Sequence, residues 1–91
     1  MNKERRKTLS EINDKLADVM SVLEEVMGDL EEVKDEEQEA FDNLPESFQY
    51  SERGEAMEEA VSALEEIVSA IDEVKSTIEE QQSAIEELTD G

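Results

Sequence analysis

From Met57 onward the apolar residues recur every three or four positions, and the chain divides into units of seven: MEEAVSA, LEEIVSA, IDEVKST, IEEQQSA and IEELTDG. With each unit lettered a to g, the a positions are Met57, Leu64, Ile71, Ile78 and Ile85. The d positions are Ala60, Ile67, Val74, Gln81 and Leu88, apolar except for Gln81. A pattern sustained this long marks a coiled-coil helix and excludes a strand, whose period is two, as well as a disordered acidic tail. An apolar repeat of about 3.5 residues also predicts left-handed supercoiling.

The first half of the chain repeats the design. LSEINDK, LADVMSV, LEEVMGD and LEEVKDE begin at Leu9, with Leu9, Ile12, Leu16, Val19, Leu23, Val26, Leu30 and Val33 at a and d. Glu37 then occupies an a position before Ala40 and Leu44 resume the phase. Helix 1 is expected over about residues 4–42, a turn over about 43–51 and helix 2 over about 52–89, with Ser51 as the N-cap. Pro45 argues against one continuous helix, because it disfavours helical backbone before it and lacks a donor, and Gly54 weakens continuity further. Two nearly equal helices, each about 55 Å long, joined by a short connection favour an antiparallel hairpin.

The apolar stripe is wider than a two-helix seam needs. Met20, Met27, Val61 and Val68 occupy e, and Val22, Ala63, Ala70 and Ala84 occupy g. A stripe of that breadth suits a bundle of three or more helices. The expected fold is therefore all-α: residues 1–91 form a single domain, an antiparallel two-helix coiled-coil hairpin that dimerises into a four-helix bundle. The alternative is a monomer that completes its core on another protein.

Charge changes the picture most. The chain holds 28 Asp and Glu against 8 Lys and Arg. Lys3, Arg5, Arg6 and Lys7 cluster at the N-terminus, so residues 8–91 carry 27 acids and 4 bases, a net of −23. Such a body repels DNA and anionic membranes and attracts a basic surface. The acids fall mainly at b and c: Glu58 and Glu59, Glu65 and Glu66, Asp72 and Glu73, Glu79 and Glu80 in the second half, and Glu24 and Glu25, Glu31 and Glu32 in the first. Solvated faces usually mix signs, since Glu–Lys pairs four apart stabilise a helix by a few tenths of a kcal/mol. Beyond the first turn of helix 2 the only base is Lys75. Successive pairs rise by about 10.5 Å. Two such helices side by side would offer about four carboxylates per 10.5 Å, within twofold of the phosphate density of duplex DNA, one per about 1.7 Å.

Candidate chemistry is sparse. Without Cys or His the chain has no disulfide, thiolate nucleophile or imidazole base. It holds no glycine-rich phosphate loop, and the acidic stretch from Gly28 to Glu39 lacks the spacing of a calcium loop. No apolar run approaches the roughly 18 residues of a membrane span, and the basic N-terminus lacks the apolar core of a signal peptide. The expectation is a cytoplasmic, non-enzymatic protein with no cofactor and no metal. All three aromatics, Phe41, Phe48 and Tyr50, lie around Pro45 in FDNLPESFQY. They read either as a corner that closes the bundle end, with Phe48 and Tyr50 folding back over it, or as a recognition tip.

The stretch DEEQEAFDNLPESFQYSERGEAMEEA, 26 of the 91 residues, resembles small acidic helical proteins of bacteriophages and prophages of Gram-positive bacteria. The resemblance implies a phage accessory protein, and by analogy an inhibitor of host nucleic-acid-binding machinery. The leading functional expectation is thus a nucleic-acid mimic that occupies the basic surface of a host DNA- or RNA-binding or defence protein through the acidic stripe. The competing expectation is a structural or adaptor coiled coil whose acids serve only solubility.

Overall fold

The computed structural model describes residues 1–90. They form α1 (Lys3–Asp42), α2 (Glu46–Gln49) and α3 (Glu52–Asp90), with no strand among the described residues. Helix α1 starts at Asn2, whose side-chain oxygen accepts from the Arg5 backbone N–H at 2.8 Å and satisfies one of the four donors a helix start leaves open. It ends before Pro45, where φ −55° and ψ 146° take the chain out of the helical region. The carbonyl of Pro45 accepts from Phe48 and Gln49, so the proline starts the single turn of α2.

Ser51 then caps α3 as expected. Its hydroxyl oxygen accepts from the Gly54 N–H at 3.3 Å, while the hydroxyl itself donates to the Phe48 carbonyl. Gly54 is buried because the first turn of α3 presses directly on α2. An added Cβ there would lie 2.2 Å from the Gln49 carbonyl oxygen and 2.7 Å from that of Phe48. Gln49 closes the opposite side of the corner: its side-chain amide donates to the carbonyls of Phe41 and Leu44, at 3.4 and 3.2 Å. The Phe41 carbonyl lies in the last turn of α1, which carries no basic residue, and that of Leu44 lies just beyond the helix, so Gln49 ties α2 to the end of α1.

Helices α1 and α3 lie side by side along their lengths. The Asn13 side-chain amide donates to the Gln82 carbonyl at 3.3 Å, and Lys75 Nζ meets Glu24 Oε1 at 3.2 Å, so residue numbers rise on one helix as they fall on the other. The result is a rod of 68 × 15 × 13 Å whose radius of gyration is 20.3 Å, against about 12 Å for a compact domain of this length.

The inner seam differs from the a/d seam expected from sequence. The rows turned toward the partner helix are a and e: Leu9, Leu16, Leu23 and Leu30 with Met20 and Met27 on α1, and Leu64, Ile71, Ile78 and Ile85 with Val61 and Val68 on α3. Met20 and Val61, both at e, are the most buried apolar side chains, each 8% exposed. The d rows lie open instead, apart from Ala60 near the corner. The physical reason is breadth. Around a helix the rows run d, a, e, b, f, c, g at about 51° steps, and one neighbouring helix covers about two adjacent rows. Three adjacent apolar rows compete for that place. The e row supplies two flexible methionines and also the polar side chains that bridge the helices, Asn13 to the Gln82 backbone carbonyl and Lys75 to Glu24.

Candidate functional site

Two surfaces flank the a/e seam. Beside a, on each helix, stands the d row: Ile12, Val19, Val26 and Val33 on α1, and Ile67, Val74 and Leu88 on α3, between 38% and 51% exposed, with Val22 at g still more open. Beside e stands the b row, with Glu24 and Glu31 on α1 and Glu58, Glu65, Asp72 and Glu79 on α3, all exposed. Helices whose residue numbers run oppositely and which share the same contact rows are related by a two-fold axis through the broad face of the pair. Equivalent rows therefore fall on the same side. The Lys75–Glu24 pair agrees, since it joins an e residue of α3 to a b residue of α1 on one face. One face of the rod is thus apolar and the other acidic.

The c rows point away from the seam, along the two outer edges. They hold Glu25 and Glu32 on α1 and Glu59, Glu66, Glu73 and Glu80 on α3, again all exposed. The twelve expected carboxylates do not form one line. They divide between an acidic face and two acidic edges. The α1 edge extends beyond Glu25 and Glu32: Glu11, Asp18 and Glu39 complete its c row. Extending the heptad letters upstream and downstream of the b/c pairs would have found them, because each stands a multiple of seven from Glu25.

The acids are largely unpartnered. Among the described residues the ion pairs are Lys75–Glu24, at 3.2 Å, and Lys34–Asp35, at a loose 3.9 Å. The hydrogen bond and charge of Glu24 raise the Lys75 pKa above its ordinary value, against an opposing cost of desolvation, with Glu79 and Asp72 adding lesser support. No three carboxylates converge as metal ligands among the described residues. Heptad spacing keeps like charges about 10.5 Å apart along a row, some two helical turns, which suits a distributed surface contact. Shallow grooves line the α3 edge, bounded by Glu58, Glu59, Ser62 and Glu66 and, farther along, by Glu65, Ser69 and Glu73.

At the corner the aromatics separate. Phe41, at an e position, is half-buried at the end of the seam, as a packing role requires. Phe48 and Tyr50 are 57% and 79% exposed. The expectation that these two fold back over the bundle end is corrected: the short α2 turn directs them outward, and Gly54 and Gln49 close the corner in their place.

No helix among the described residues is long and apolar enough to cross a membrane. Comparison with protein-family models, curated proteins and solved structures finds no match to this chain.

Proposed function

We propose that this chain is a non-enzymatic acidic binding module that occupies the basic surface of a DNA- or RNA-binding or defence protein, in the manner of a phage-type nucleic-acid mimic acting in the cytoplasm. In this reading it folds as an antiparallel hairpin, pairs into a four-helix bundle and binds neither nucleic acid nor membrane directly. The observation that supports it is the set of exposed carboxylates in regular rows, with one cross-helix cation among the described residues to neutralise them. Rows of single sign cost stability through self-repulsion, so a requirement other than folding accounts for them. A basic nucleic-acid channel supplies that requirement: it is steered toward the rod over long range and releases it as salt rises.

The test is capture of host proteins on the immobilised chain at low salt, followed by competition with duplex DNA. The captured protein is expected to elute with DNA and to be lost when Glu66, Glu73 and Glu80 are replaced by lysine. A captured protein that DNA fails to displace would overturn mimicry. A second reading, a structural or adaptor coiled coil, draws on the open d rows, and under it the same lysine substitutions leave activity unchanged.

A further inference from the structure

The apolar face needs an occupant. The chain exposes 6761 Å², whereas a compact monomer of 10.3 kDa would expose roughly 5,400 Å². The excess, about 1,400 Å², exceeds the roughly 800 Å² that each partner contributes to a stable interface. From this surface we infer that the occupant is a second copy of the chain, docked face to face about a two-fold axis perpendicular to the rod, with α1 against α1 and α3 against α3.

Charge placement selects this arrangement. The g row of α1 borders the apolar face and reads Lys15, Val22, Asp29, Glu36. Lys15 and Asp29 stand seven residues either side of Val22, both exposed and neither in an ion pair among the described residues. An axis through Val22 sets Lys15 of each copy opposite Asp29 of the other, twice per dimer. It brings Ile12 within one residue of the level of Val33, and Val19 within one residue of that of Val26, along the d rows. It also lays the basic cluster Lys3–Lys7 over residues 37–41 of the second copy, inside the acid-rich stretch from Asp35 to Asp42.

Helix α3 has a matching centre between Glu73 and Val74. Around it Ala70 meets Thr77 and Ala63 meets Ala84, small side chains that permit close approach. The two centres share a height. The Asn13–Gln82 and Glu24–Lys75 contacts place residues 73 to 77 of α3 beside Val22, and the α3 centre lies in that interval, so one axis passes through both.

The competing arrangement has its axis along the rod and sets α1 against α3 of the second copy. By the same register Asp29 would then meet residues 66–70 and Lys15 residues 80–84, where the rows at the contact offer Ile67 and Ala70, or Gln81 and Ala84. Both charges would be covered without a partner, a cost the perpendicular axis avoids.

This inference rests on the dimer reading and not on the identity of any basic partner. The chain has no cysteine, so one introduced thiol reports on one contact. Val22→Cys is expected to form a disulfide-linked or bis-maleimide-linked dimer, whereas Val22→Cys mixed with Val74→Cys is expected to give no mixed dimer. Lys15→Glu and Asp29→Lys should each weaken the dimer about tenfold by analytical ultracentrifugation, and the double variant should return to within about threefold of the parent. Helicity by circular dichroism confirms that each variant folds. A monomeric parent would overturn the dimer reading and this inference with it. A dimer that crosslinks Val22 to Val74, or whose double variant stays weak, would overturn the arrangement alone. Failed competition by DNA would sink mimicry and leave the dimer standing.

Discussion

An added Cβ at Gly54 meets backbone atoms of Gln49 and Phe48, whereas at Gly28 it meets nothing within 4 Å. Both glycines are helical, and neither has the positive φ that would exclude a side chain. Their substitutions are therefore expected to differ in sign. Gly54→Ala should destabilise the corner by about 1–3 kcal/mol, because backbone cannot step aside as a flexible side chain can. Gly28→Ala, on an open face of α1, should stabilise by about 0.5–1 kcal/mol through the unfolded chain's lost freedom. Urea melts of the two variants check the contrast. Lys75 gives a third residue-scale expectation. Its pKa is raised by Glu24, so the pair's contribution is fully present below the unfolded value of 10.5 and is lost as pH rises through the folded value above it. The difference in Tm between the parent and Lys75→Met should thus stay constant from about pH 7 to 10 and disappear beyond.

The helices themselves were readable from residue types. The expected bounds of about 4–42 and 52–89 differ by a residue at most from Lys3–Asp42 and Glu52–Asp90, because Pro45 and Ser51 impose local limits that need no tertiary information. The choice of inner seam was not readable. Leu16 has Val19 on one side and Met20 on the other, both apolar, and heptad spacing assigns each an equal claim to the neighbouring helix. Only packing in three dimensions separates them, leaving Val19 46% exposed and Met20 8%. The role of Gln49 is not legible for a related reason: nothing in its spacing reveals that its amide reaches back to the carbonyls of Phe41, in α1, and Leu44, just beyond it. Of the candidate site, the exposure of the b and c carboxylates followed from the period alone. Their division between a face and two edges depended on the seam. The a/e seam carries its own expectation. Met20→Ala should cost the helix pair about 2 kcal/mol or more, while Glu25→Gln, on an outer edge, should cost nothing measurable in the same melt.

At the scale of the whole molecule, a net charge of −20 is spread over a rod 68 Å long. Repulsion among rows of like sign opposes folding, and mobile ions screen it. Thermal stability is expected to rise between about 20 mM and about 500 mM salt, well either side of the range where the Debye length reaches about 10 Å. A fall would mean that attraction, such as that of Lys3–Lys7 for an acidic neighbour, outweighs repulsion. The rod also bears on how the chain reaches its structure. Gln49 ties to Leu44 across five residues at the corner, whereas Asn13 ties to Gln82 across sixty-nine near the open end. Once the corner has closed, each later contact spans only a small gap beyond one already made, so the entropy of loop closure is met once. Folding should run as a zipper, with the corner in its nucleus and the open end joining last. Gly54→Ala is then expected to slow folding, while Asn13→Ala speeds unfolding, and the two limbs of a denaturant chevron separate these effects.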